Sequence, residues 1–148
     1  MGGLTIAVRI RRLRASDYDA LIRLFRVCGL EPRTKGRDGR AAIVRQLRFR
    51  GNVYLGAFDR DRLIGAVLGT QDTRKGWINR LAVHPDYRRK GLASRLVRAA
   101  EKGLRARGMR MFAALIEEGN EASEATFRGL GYEILPIRYA RKKAHPGI

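Results

Sequence analysis

A chain of 148 residues, 45% of them apolar, is the length of one ordinary domain and apolar enough to close a single core. Its apolar runs are short, which argues against a bilayer span, and its one cysteine, Cys28, excludes an internal disulfide or a cysteine-rich zinc cluster. The formal charge of +18 rests on 26 Arg and 6 Lys and divides evenly, +9 up to Arg74 and +9 beyond it.

Such a field recruits anions. Because it is spread along the whole chain, with no single basic stripe, nucleic acid is expected only as a weak and non-specific partner. The stretch Met1–Ile6 has no secretory apolar segment, and Ile6 stands where a myristoylation signal needs Ser or Thr. A reduced, cytoplasmic protein with no membrane partner is the expectation. A homodimer is left open.

In chain order, Val8 to Arg11 alternates like a strand. Ser16-Asp17-Tyr18-Asp19 resembles a capping box opening a helix that carries Tyr18, Leu21, Ile22, Phe25 and Cys28 at helical spacing and stops at Gly29. A polar loop follows from Glu31 to Gly39, and Asp38 is expected to cap a second helix running to about Phe49. Val53–Phe58 and Leu63–Gly69 read as strands joined by the hairpin turn Asp59 to Arg62.

Trp77–Val83 is a further strand, with Ile78, Arg80 and Ala82 assigned to one face, and Pro85 closes it. Gly91–Arg107 is an amphipathic helix lined by Leu92, Leu96, Ala100 and Leu104 and ended by Gly108. Met111–Ile116 reads as a buried strand, Asn120–Leu130 as a short helix and Tyr132–Tyr139 as a last strand. The order β-α-α-β-β-β-α-β-α-β, without linker or repeat, implies one α/β domain over residues 1–148, with helices packed on a mixed sheet.

The segment richest in chemistry runs from Leu81 to Ala93. A strand ends, the basic turn Arg88-Arg89-Lys90 follows, and a long helix starts at Gly91-Leu92-Ala93. Consecutive amides at a helix start form a concave anion site, reinforced by the helix dipole. Gly91 allows close backbone approach, and Ala93 keeps the first turn slim. The same pattern is also that of an ordinary strand-turn-helix with surface arginines.

Arg88-x-x-Gly91-x-Ala93 preceded by Val83-His84-Pro85 resembles the pyrophosphate motif of the GNAT acetyltransferase superfamily. Asn120, with Phe127 seven residues on and then Leu130-Gly131-Tyr132, resembles that family's second block. The resemblance covers nearly the whole chain. It implies the GNAT fold: a mixed, mostly antiparallel sheet of six or so strands flanked by about four helices.

It also implies a function, transfer of an acetyl group from acetyl-CoA to an amine by direct attack. In that scheme the backbone of Leu81 and Val83 holds the pantetheine arm, and the Val83 amide polarises the thioester carbonyl. The amides from Arg88 through Arg89, Lys90, Gly91 and Leu92 to Ala93 take the pyrophosphate, Asn120 hydrogen-bonds near the pantetheine or the acceptor, and Phe127 borders the cofactor. Asn120 is equally suited to cap its own helix.

Two positions depart from the family pattern. Phe127 stands where many relatives carry a tyrosine that protonates the departing thiolate, and Asn79 stands where many carry a glutamate base. The remaining candidate bases are Glu117 and Glu118, members of an acidic run with Glu121 and Glu124 that also suits a helix N-terminus. His84 could titrate near neutrality but is not expected to act. Cys28 lies on the apolar face of its helix, which argues against an acyl-enzyme.

Between Glu31 and Arg50 there are seven basic and two acidic residues, so Arg33, Lys35, Arg37 and Arg40 are candidates for reading the acceptor. The competing reading is a non-catalytic GNAT-like module that senses acyl-CoA or docks on RNA or the ribosome.

Overall fold

The computed structural model describes residues 7–148; the stretch Met1–Ile6, read above for export and lipidation signals, lies outside them. Five strands form one sheet in the order β1-β2-β3-β4-β5: β1 Val8–Arg12, β2 Val53–Asp59, β3 Arg62–Gln71, β4 Gly76–Val83 and β5 Phe112–Ala114. The first four pair antiparallel, and β5 lies parallel to β4. Four helices flank the sheet: α1 Tyr18–Val27, α2 Arg40–Arg48, α3 Leu92–Ala106 and α4 Glu121–Gly129.

The sheet separates two cores. On one face Leu21, Ile22, Leu24 and Phe25 of α1 and Ile43 of α2 pack on Tyr54, Phe58, Ala66, Leu68 and Ala82. On the other, Leu92, Leu96, Val97, Ala100 and Leu104 of α3, with Phe127 of α4, cover Val53, Ala57, Ile64, Val67 and Ile78. β2 and β3 are buried almost throughout because both faces are covered. Among the described residues, no helix is long and apolar enough to cross a membrane.

Several boundaries differ from the sequence reading. Ser16 does not open α1. Ala15–Asp17 forms a 3-10 turn, and the Asp17 carboxylate accepts from the Arg14 amide and from both terminal nitrogens of Arg11. Asp38 does not cap α2 either: Gly39 holds the N-cap position, and the buried Asp38 carboxylate accepts the Arg33 amide inside the loop.

β5 is three residues long, shorter than Met111–Ile116, because it diverges from β4 after Ile78↔Ala114. Residues 132–139 form no strand, and the sheet has five strands rather than six. Pro136 lacks a donor in the middle of that segment, and Leu135, Ile137 and Tyr139 stay exposed with no neighbouring ladder to cover them.

The face assignment in β4 is also corrected. Pairing runs Arg80↔Leu68 and then Ile78↔Gly69, so Asn79 is the extra residue of a β-bulge. The bulge reverses the alternation. Ile78 joins the α3 core, whereas Arg80 and Ala82 face α1. Asn79 is exposed and donates through Nδ2 to Thr70 Oγ1.

Candidate active site

The divergence of β4 and β5 shapes the site. β5 pairs only with Gly76, Trp77 and Ile78, so the remainder of β4 presents an edge with no partner strand among the described residues. The His84 amide donates to the Ile64 carbonyl at 2.8 Å. In an antiparallel ladder, hydrogen-bonded pairs alternate with non-bonded ones. Ala82 and Arg80 therefore bond across to β3, and the backbone groups of Leu81 and Val83 point the other way, into the opening. Their side chains pack toward the α3 core.

The strand leads directly into the basic turn. Pro85–Tyr87 forms a 3-10 turn, with the Asp86 amide donating to His84 Nδ1 and the buried Tyr87 hydroxyl donating to Asp59 at 2.6 Å. Anchored in this way, the chain reverses through Arg89 at φ 62° and Gly91 at φ 75°. Glycine suits the second position because left-handed backbone costs it nothing. A side chain begun at Gly91 would meet no atom within 4 Å, so the space ahead of the helix is open.

Arg95 donates back to the Gly91 carbonyl, which leaves the preceding amides of α3, those of Leu92, Ala93 and Ser94, facing forward. The first turn of α3 carries no acidic residue, and Arg88, Arg89 and Lys90 are exposed beside it. Such a turn suits an anion in geometry and in charge. Arg88 has a distinct position within it. Its amide faces the Pro85 carbonyl at 3.5 Å, and its Nε donates to the Val83 carbonyl at 3.1 Å.

The second motif is divided between two places. Asn120 caps α4, its Oδ1 accepting the Ser123 amide at 3.1 Å. Phe127 is buried, with its ring edge-on to Tyr132 at 4.9 Å between centroids. The Tyr132 hydroxyl donates to Glu101 at 2.6 Å; burial first, and then the Glu101 carboxylate, hold it protonated far above the phenol range. Glu117 and Glu118 lie exposed in the turn between β5 and α4, where the Glu117 carbonyl accepts the Asn120 amide.

Two features at the site left no signal in the sequence. Cys28, at the end of α1, donates its thiol to the Val83 carbonyl at 3.3 Å, and burial pushes that thiol up against the opposing pull of Arg88. Arg80 lays its guanidinium over the Phe25 ring at 4.9 Å, with Nη1 buried and unpartnered among the described residues. Both depend on the packing of α1 over β4, which residue spacing does not encode.

The family model for the acetyltransferase (GNAT) family matches residues 12–132. The chain is similar to an acetyltransferase of Pectobacterium atrosepticum, 32% identical over 126 residues that cover 85% of this chain and 88% of that protein. It is also similar to an acetyltransferase of Sodalis glossinidius, 31% identical over 86% of this chain and 88% of that one. Among solved structures, the PaiA N-acetyltransferase of Thermoplasma acidophilum in complex with coenzyme A superposes with a TM-score of 0.81 at 19% identity, covering 89% of this chain and 93% of that one.

A ribosomal-protein-alanine N-acetyltransferase of Brucella melitensis superposes with a TM-score of 0.70 at 20% identity, over 93% and 100% of the two chains. These superpositions establish the fold. The chain belongs to the acetyltransferase (GNAT) family. It is an N-acetyltransferase.

Proposed function

We propose that this enzyme transfers the acetyl group from acetyl-CoA to a primary amine of a small molecule, protein or peptide, by direct attack on the thioester bound along β4. The observation that carries the proposal is the edge of β4 at Leu81 and the Val83 amide, which has no partner strand among the described residues and runs straight into the forward-facing amides of Leu92 to Ser94. A pantetheine arm is an extended chain with amide groups, and it can add to such an edge as a strand does. A pyrophosphate matches the cradle.

In this scheme the amides of Arg89 to Ala93 hold the phosphates, and Arg88 braces the turn against β4. The inward-facing amide of Val83 donates to the thioester oxygen, where negative charge develops. The nitrogen–carbon bond forms as the carbon–sulfur bond breaks, and sulfur leaves as thiolate. The ammonium proton passes to solvent, to Glu117 or Glu118, or to the departing sulfur.

Neither Asn79 nor Phe127 can exchange that proton. A thiol with pKa near ~8.5 is nevertheless a tolerable leaving group at neutral pH. The half-buried Cys28, with its thiol held protonated and bonded to Val83, does not suit a covalent relay. The test is thiol release from acetyl-CoA against a panel of amines and peptide N-termini. Hydrolysis unaffected by every amine would count against the proposal.

A further inference from the structure

Arg80 is the anomaly of the sheet face that α1 covers. It projects from β4 toward α1, its guanidinium stacks on Phe25, and its Nη1 is buried without a partner among the described residues. Desolvating a guanidinium is costly unless an anion answers it, and the stack on Phe25 meets only one face of the ion.

A second concentration of charge lies along the same side. The loop leaving the end of α1 carries Arg33 and Arg37, and the C-terminal segment folds against it, with the Ile148 Cα 3.2 Å from where a side chain at Gly36 would begin. The partly buried Lys143 is thereby held among Arg141, Arg33 and Arg37. Burial first, and then those three charges, push its ammonium below the usual lysine range. The ion pairs among the described residues involve Arg11, Arg40, His84, Arg105 and Arg128, and none of these five cations. The loop carboxylate of Asp38 is turned inward onto the Arg33 amide.

Cations assembled without counter-ions repel one another and destabilise the fold unless an anion joins them. We infer that the acceptor is a small amine bearing a carboxylate or phosphate group, received by Arg80 and by the cluster of Arg33, Arg37, Arg141 and Lys143. This rests on the acetyl transfer proposed above and adds the substrate class. The guanidinium lies over Phe25 at 4.9 Å, and its planar fork of donors suits a bidentate grip on a carboxylate or on two phosphate oxygens.

The test uses amine pairs that differ only in the anionic group: ethanolamine against O-phosphoethanolamine, and butylamine against 4-aminobutanoate. The charged member of at least one pair should show a kcat/KM at least tenfold higher, and which pair responds tells phosphate from carboxylate. Arg80→Gln should bring that ratio close to one, mainly through KM, as should the exposed-side double variant Arg37→Gln with Lys143→Gln if Arg80→Gln fails to fold. Preference for the neutral amines or for spermidine, or ratios untouched by both variants, would overturn the inference.

A second measurement separates its failure from that of the transfer reaction. In protein already saturated with coenzyme A, the same anionic amines should raise Tm, and the variants should abolish the rise. That rise without any thiol release would retain the anion site while removing the proposed reaction. No rise in the wild type, with or without turnover, would remove the anion site.

Discussion

Cys28 Sγ donates to the Val83 carbonyl at 3.3 Å, and Arg88 Nε donates to the same oxygen at 3.1 Å. The end of α1, the end of β4 and the start of the basic turn therefore converge on one carbonyl. That oxygen belongs to the residue whose amide faces the thioester in the proposed reaction, and its two donors hold the peptide plane that follows Val83.

Replacing Cys28 with Ala should leave the fold intact and loosen that peptide, raising the KM for acetyl-CoA a few-fold. Serine, a stronger donor, should retain more of the wild-type value. The thiol also reports its own environment. Burial raises its pKa, so iodoacetamide should reach half-maximal alkylation rate at a pH above that of a free cysteine thiol. The fold favours the protonated form, so the stability tied to it is present below the ordinary thiol pKa and lost as pH rises through the folded value. Alkylation at or below the free-thiol midpoint would remove this description of the site.

The cofactor cradle is tested at Gly91. Its φ is 75°, and no atom lies within 4 Å of a side chain begun there, so a substitution there strains the backbone without a clash. Gly91→Glu adds a carboxylate where the phosphates are proposed to sit, and calorimetry should show acetyl-CoA affinity lowered at least tenfold, about 1.4 kcal/mol. Gly91→Asn tolerates the left-handed conformation and carries no charge, so it should lose much less. Equal losses in the two variants would assign the effect to backbone strain.

Much of this architecture is legible in the sequence, for identifiable reasons. The leucine and alanine spacing of α3 and its stop at Gly108 place that helix to within a residue at either end. Two features of the basic turn, Pro85 and Gly91, act through backbone geometry alone and are visible without neighbours. The misread features depend on contacts between segments. Asp17 resembles a cap residue until Arg11, six positions earlier in β1, takes its carboxylate. Asn79 resembles a regular strand residue until β3 imposes a bulge opposite Gly69. Residues 132–139 have strand composition, yet β5 is too short and divergent to template them.

The Arg11–Asp17 pair gives an acid-sensitive element of stability. The Arg11 hydrogen bonds at 2.9 and 3.0 Å, with the Arg14 amide at 2.7 Å, hold the Asp17 carboxyl below its usual range. A lowered pKa contributes stability that is present above the ordinary carboxylate value and lost as pH falls through the folded one. Asp17→Asn should therefore reduce stability by about 1–2 kcal/mol at neutral pH. The difference from wild type should shrink in urea melts taken at progressively lower pH; a difference independent of pH would exclude the ion pair as its cause.

The net charge of +18 predicts weak, salt-sensitive contact with nucleic acid. Counterion release makes such affinity fall steeply with added salt. Fluorescence anisotropy with a labelled RNA should show binding at low salt that is lost near physiological ionic strength. A complex that survives physiological salt would instead favour a module that docks on RNA.

Phe127 tests proton delivery. Its ring is buried and packs against Tyr132, whose hydroxyl is bonded to Glu101 and held protonated far above the phenol range. Tyr132 therefore cannot stand in for an acid at position 127, and thiolate departure must draw its proton from water or from the attacking amine. Phe127→Tyr introduces a hydroxyl at that ring. If chemistry limits turnover, kcat should rise, by no more than about 100-fold for one general acid, and the gain should fade as the new phenol ionises near ~10. If product release limits turnover, kcat will stay level while the single-turnover rate still rises. A variant slower than wild type in single turnover, with unchanged acetyl-CoA affinity and Tm, would mean that the hydroxyl does not reach the sulfur and that proton delivery here does not run through position 127.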